Sequence, residues 1–268
     1  FDFSCQGLGA SACRDGLDYG YAMFNPEADL GDVEEWEQTQ WGLLQLSRRV
    51  KSNTAGHGKY RGGSGWEGLH TVMGSEDVSM YAFSIPTVTW SSSGMSGGYP
   101  GGTSYSVRVH DTDLAERAAA GEPYPLDDQP VGSMEAQIDG EELIRDQDGM
   151  FFPEEFENND LLRFQTSGGP GWGDPLERPT EKLKEDIEDG IFTPDIVEEV
   201  YGVVGEHDTH NREFTIDEAA TETRREEIIE ERAKRSQSFD EFFDEERKRV
   251  KERDWNDGVQ YMYEGVFE

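Results

Sequence analysis

The spacing of hydrophobic and polar positions changes near residue 161. Before it, apolar residues alternate or gather in short runs separated by glycine; after it they recur at helical spacing. The run SGWEGLHTVM (64–73) leads across GSED (74–77) into VSMYAFSI (78–85). In the second run Val78, Met80, Ala82 and Ser84 alternate with Ser79, Tyr81, Phe83 and Ile85. Both faces therefore carry apolar residues, the pattern of a strand covered on both sides. Residues 104–110, SYSVRVH, alternate more cleanly, with Tyr105, Val107 and Val109 on one face. Between these runs, SSSGMSGGYPGGT (91–103) is too rich in Gly and Ser for an element interior, and loops of that length are more often functional than idle. Residues 121–133, with three prolines, predict a second irregular connection. LLRFQTSGG predicts a final strand, running into the loop SGGPGWGDP (167–175).

Helices follow. Thr180 stands as N-cap to a helix over 181–189, with Leu183 and Ile187 on one face and Gly190 at C′. Thr193 and Pro194 give an N-cap and a proline at N1. Ile196, Val197, Val200 and Tyr201 form the next apolar stripe, and Gly202 ends it. Val204 and Phe214 flank a predicted hairpin. In 217–254, Ala219, Ala220, Ile228, Ile229 and Ala233 mark one helix. Ser238 and Glu241 form a capping box for a second, whose apolar residues are Phe239, Phe242, Phe243 and Val250. These two are read either as solvated helices with one buried stripe or as a partner-docking arm. The fold class is α+β: a β-rich glycine-loop region over 1–178, then a helical region over 179–268 with a short hairpin near 203–216.

Charge alters this picture more than length does. The 268 residues carry 58 Asp+Glu against 24 Lys+Arg, a net charge of −34. Such a polyanion has no basic footprint for nucleic acid or anionic lipid. No apolar run approaches the roughly 18 residues of a membrane span. The opening FDFSCQGLG has neither a basic nor an apolar leader region, so a cytoplasmic location is expected. Fourteen Phe, ten Tyr and six Trp argue for a packed core rather than disorder. The acid is spread along both halves and Arg outnumbers Lys 17 to 7, which suggests a surface built for molar salt. The alternative is an acidic DNA mimic or a cation-binding protein.

Candidate chemistry is sparse by spacing alone. Cys5 and Cys13 lie in a small-residue stretch and make neither a disulfide scaffold nor a zinc set. His207-Asp208-Thr209-His210 has ligand types for a transition metal but falls in the predicted hairpin turn. HExxH and Walker A patterns are absent. Three glycine loops stand out: GHGKYRGGSGWEG (56–68), SGMSGGYPGG (93–102) and SGGPGWGDPLERP (167–179). Glycine permits close backbone approach, so such loops either present amides to an anion or serve sheet corners and subunit packing. Lys59 and Arg61 in the first would add positive charge to an acidic surface.

GKYRGGSGWEGL, then GGPGWGDPLERP, then DGIFTPDIVEEVYGVV resemble the C-terminal portion of the hydantoinase B/acetone carboxylase α-subunit family. NPEADLGDVEEWE (25–37) and GGYP (97–100) look more like the acetone carboxylase branch than the hydantoinase or oxoprolinase branches. The resemblance covers nearly the whole chain, which looks like about the last third of such a subunit. It implies ATP-dependent carboxylation of a ketone such as acetone to a β-keto acid. ATP would activate the ketone as a phosphorylated enol and bicarbonate as carboxyphosphate. It implies a hetero-oligomer with a hydantoinase A-like nucleotide-handling subunit and a small third subunit, and a Mn²⁺-type metal whose ligands lie upstream, with none in this segment. The fragment alone would not carry the reaction. The transferable positions are substrate or subunit-interface loops: Lys59, Tyr60, Arg61, Gly62, Gly63, Gly168, Gly169, Gly171, Trp172 and Asp174. The rival readings are an N-methylhydantoinase B/5-oxoprolinase-like subunit opening a cyclic amide with ATP, and a non-catalytic assembly module.

Overall fold

The computed structural model describes residues 6–18, 42–75, 78–82, 93–122, 140, 142–146, 152–255 and 260. Strands β1 (Leu43–Val50), β2 (Trp66–Val72), β3 (Val78–Ala82) and β4 (Tyr105–His110) lead to helix α1 (Leu114–Ala120). Strands β5 (Glu142–Asp146), β6 (Phe152–Phe156) and β7 (Leu161–Gln165) follow, then α2 (Thr180–Glu188). The turn α3 (Pro194–Ile196) continues as a π turn over Val197–Tyr201. A hairpin, β8 (Gly205–Asp208) and β9 (Glu213–Ile216), precedes α4 (Glu218–Arg235) and α5 (Phe239–Glu252). The α+β class stands. The described residues group into two units divided between Glu222 and Thr223, within α4. Cys5, positions 25–37 and 83–85, and most of the proline-rich connection lie outside the described residues.

Five antiparallel strands make the main sheet, in the order β1-β2-β7-β4-β5. Every residue of β2 is buried, so this strand is covered on both faces. The runs flanking 74–77 do not pair with each other. β2 lies between β1 and β7, whereas β3 pairs with β6 in a separate two-stranded sheet, Val78 opposite Phe156. The alternation of β4 serves the core as its pattern requires: Val109 packs with Leu69, Leu114 and Leu161. Val72, Phe156 and Leu162 form a second cluster.

The sheet also encloses charge. Glu67 of β2 and Arg163 of β7 are both fully buried, joined by bonds of 2.7 Å from Nε and Nη2 of Arg163 to Oε2. Arg49 reaches the other oxygen at 3.0 Å, and Lys51 lies 3.3 Å from Oε2. One carboxylate is therefore met by three cations, a pairing that offsets the cost of burying its charge.

The helical part of the first unit has its own core. Leu183 and Ile187 of α2 pack with Ile191, Phe192, Val197, Tyr201, Val203, Phe214 and Ala55. Leu183 and Ile187 are one helical turn apart, so both face this cluster. Gly190, at φ +76°, takes the left-handed position that ends α2. Helix α2 begins one residue earlier than its spacing predicts, with Pro179 rather than Thr180 as the cap residue. Thr193 precedes Pro194 as expected but does not cap with its own side chain; it exchanges hydrogen bonds with Asn53 at 2.9 and 3.0 Å. In the second unit, Ser238 and Glu241 make the reciprocal capping box that opens α5.

Candidate functional site: a glycine lattice closed by two arginines

The three glycine loops and residues 6–17 form one hydrogen-bonded body. At its centre runs 167–173. Gly7 donates to Ser167 O, Gly168 to Gly102 O, Gly169 to Gly63 O, and Gly56 to Gly169 O, at 2.8–3.1 Å. Ala10 donates to Pro170 O, Gly171 to Tyr99 O, and Met95 to Gly171 O. Tyr60 and Trp172 exchange a reciprocal pair at 3.0 and 2.9 Å. A β-strand directs its amides and carbonyls to two neighbours only. This segment bonds to 7–10, 56–63 and 95–102, so it is enclosed by backbone on more than two sides.

That enclosure explains the composition. A Cβ at Gly168 would fall on the carbonyl oxygen of Thr54, one at Gly169 on that of Leu8, and one at Gly62 on that of Gly169. Gly63 and Gly171 meet the carbonyls of Leu17 and His57 in the same way. Glycine is here a requirement of close approach between backbones. The amides of Gly56, Gly62, Gly63, Gly168, Gly169, Gly171 and Gly173 all donate to backbone carbonyls within the lattice.

Two arginines lock this body to α2. Arg61 donates from Nε to Asp186 Oδ1 at 2.8 Å and from Nη1 to Asp18 Oδ1 at 3.0 Å and to its neighbour Gly62 O at 2.9 Å. Arg178 grips Asp15 through Nη1 and Nη2, at 2.8 and 3.0 Å, and Asp186 through Nε and Nη2. The backbone amide of Arg61 also donates to Asp15 Oδ1. Burial pushes the Asp15 carboxyl up, but the bonds from Arg178 and the Arg61 amide outweigh it and hold it below the usual carboxylate range. Burial likewise pushes Asp186 upward, while Arg178 and Arg61 favour its ionised form.

The loop cations expected at the surface thus part company. Lys59 is exposed and pairs with Glu177 at 3.0 Å. Arg61 is turned inward, its charge met by Asp18 and Asp186, so it adds nothing to the surface field. Tyr60 and Trp172 are half-buried, with ring centroids 6.0 Å apart. Asp174 accepts the Leu176 amide at 2.9 Å and caps the 3-10 turn Pro175–Glu177. Met95 and Tyr99 stand exposed on the same lattice.

One contributor had no signal in the spacing. His57 places Nδ1 3.2 Å from the Tyr201 hydroxyl, with Phe192 against its ring at 5.0 Å. Burial lowers its pKa to about 4, so the ring is neutral near pH 7. Only its position beside Gly56, in a glycine loop otherwise poor in anchors, marks it in the sequence. Cys13 is exposed, and Asp208 accepts the amides of His210 and Asn211 in the β8–β9 turn. Among the described residues no three His, Cys, Asp or Glu converge to hold a metal ion. The acids of the lattice are engaged by arginine, so these residues do not fit one.

The family model for hydantoinase B/oxoprolinase matches residues 1–175, which hold β1–β7 and the lattice up to Pro175. The chain belongs to the hydantoinase B/oxoprolinase family. It is 34% identical to the acetone carboxylase alpha subunit of Xanthobacter autotrophicus, over 100% of this chain and 34% of that protein. It is 27% identical to the acetophenone carboxylase delta subunit of Aromatoleum aromaticum, over 82% of this chain and 32% of that one. Among solved structures, the nucleotide-free acetone carboxylase superposes with a TM-score of 0.79 at 33% identity, over 97% of this chain and 34% of the other. The ATP-dependent caprolactamase of Pseudomonas jessenii superposes with a TM-score of 0.59 at 22% identity, over 82% of this chain and 32% of the other, a likeness of fold. This hydantoinase B/oxoprolinase chain spans about a third of the length of the relatives it matches. No helix among its described residues is long and apolar enough to cross a membrane.

Proposed function

We propose that this chain is part of the α-subunit of an ATP-dependent ketone carboxylase, forming acetoacetate from acetone and bicarbonate within a multisubunit complex. The observation that carries this reading is likeness to acetone carboxylase, 34% in sequence over 100% of the chain and 0.79 in TM-score over 97% of it. The likeness to a lactam-opening enzyme is at the level of fold. The nucleotide is handled by a hydantoinase A-like partner, and a small third subunit completes the assembly. A Mn²⁺-type metal is held outside this segment, whose lattice offers no ligand set. The protein works in the cytoplasm of a salt-adapted cell, its −34 charge serving the solvent-facing surface.

Within that complex the lattice is a rigid wall. Gly62, Gly63, Gly168, Gly169 and Gly171 build it, Arg61 and Asp174 fix its ends, and Lys59, Tyr60 and Trp172 form the rim that meets substrate or a neighbouring subunit. The segment is not active alone.

The test is to purify the complex and supply ATP with acetone and bicarbonate, or with hydantoin or 5-oxoproline. Acetone-dependent incorporation of labelled bicarbonate is expected. Turnover of a cyclic amide alone would overturn the carboxylase reading in favour of the hydrolase one.

A further inference from the structure

Helix α5 carries an apolar stripe that is exposed among the described residues. Phe239, Phe242, Phe243 and Val250 are 75%, 51%, 49% and 59% exposed, and the described part of this helix has no buried residue. At 100° per residue, Phe239, Phe243, Glu246 and Val250 fall within about 40° of a common line, with Phe242 at its edge. Phe239 and Phe243 already stack on each other, with centroids 5.8 Å apart. Isolated exposed apolar residues need no explanation, but three Phe and a Val along one side of a single helix mark an interaction surface.

The charges beside the stripe say what covers it. Along one flank run Asp240, Asp244, Arg247 and Lys251, spaced 4, 3 and 4 apart: two acids in the first half of the helix, two bases in the second. Rotated by 180° about the middle of α5, this row is its own complement. Asp240 meets Lys251 of the second copy and Asp244 meets its Arg247, and symmetry makes each pair twice. The same rotation lays Phe242 on the stem and guanidinium group of Arg249, a contact suited to cation–π attraction, and brings Phe243 near Val250. Two Glu246 carboxylates meet near the axis, each accompanied by its own Arg249 at 2.7 Å.

We propose that α5 is a self-association surface that seats a second copy of this chain, antiparallel, through the Phe239–Phe242–Phe243–Val250 stripe. The proposal goes beyond the carboxylase reading and stands independently of it.

The test is the association state of the full chain in 1 M salt, by sedimentation and light scattering over a range of concentrations. A dimer is expected, and Phe242→Asp with Phe243→Asp should weaken it about tenfold or more. Circular dichroism would establish that the variant keeps its helices. Asp240→Lys should weaken association about threefold to tenfold, and adding Lys251→Asp in the same chain should restore it. A monomer at all concentrations, or a dimer indifferent to the Phe substitutions, would overturn the proposal. Strengthening by Asp240→Lys would overturn the antiparallel arrangement.

Discussion

Arg178 holds Asp186 with two nitrogens on one oxygen, Nε at 3.0 Å and Nη2 at 2.8 Å to Oδ2. The other oxygen of Asp186 belongs to Arg61, and the remaining arm of Arg178 belongs to Asp15. Four charged residues from three distant stretches thus close on one another beneath the glycine lattice. A buried pair of this kind adds modestly to stability when whole and costs heavily when one partner is removed.

Arg178→Met should therefore lower the unfolding free energy by about 3–5 kcal/mol, because Asp15 loses its bidentate partner and buried Asp186 is left with Arg61 alone. Arg61→Met should act in the same direction. Lys59→Met, in an exposed pair with Glu177, should leave the urea midpoint where it was. Equal midpoints for Arg178→Met and Lys59→Met would contradict the clamp.

The glycines should divide into two kinds. Gly168→Ala and Gly169→Ala force a Cβ onto a neighbouring carbonyl and should cost about 3 kcal/mol or more, or prevent folding. Gly74→Ala and Gly190→Ala meet open space; only their positive φ resists, at about 1 kcal/mol. Denaturant unfolding of the four variants checks this ranking.

Much of this arrangement was legible before the fold was known, and the reason for each success or failure is physical. The capping box Ser238–Glu241, the proline at 194 and the helix-ending Gly190 are local signals, and each acts where it stands. The main sheet is not local. Gln45, Ser47, Arg48 and Arg49 make LLQLSRRV look solvated, yet it forms β1, because Arg49 points to a carboxylate buried in the next strand. Arg163 turns inward to the same carboxylate, although LLRFQ still marks β7 as a strand. The glycine loops were visible, but their mutual bonding joins residues some 100 positions apart, and so does the inward turn of Arg61 toward Asp186. His57 and Tyr201 are 144 residues apart and share no spacing that could have joined them.

Stability should fall in mild acid. Burial, with the Arg48 charge beside it, lowers His70 to about 4, and burial alone does the same to His57. The unfolded chain takes up these protons near pH 6.5, the folded chain only near 4. The stabilisation is full above pH 6.5 and is lost progressively as pH falls toward 4, about 1–3 kcal/mol for each ring. Urea midpoints at constant salt should drop between pH 7.5 and 5, and His70→Gln should flatten part of the slope. An unchanged midpoint over that range would contradict the neutral buried state.

With 58 acids against 24 bases, self-repulsion should govern the response to salt. Screening shortens its reach from about 10 Å at 0.1 M to about 3 Å at 1 M. The thermal midpoint should rise strongly between about 0.1 and 3 M KCl. A flat response would remove the argument for a salt-adapted surface.

The central claim is that residues which look like open glycine loops are a single body whose amides bond to one another. Amide hydrogen exchange, resolved by residue, tests this most directly. The amides of Gly56, Gly63, Gly169, Gly171 and Trp172 should be protected to the same degree as those of β2 and β7, although they lie in no sheet or helix. Exchange at the rate of solvated loops would contradict the lattice, and with it the rigid wall proposed for the family reaction.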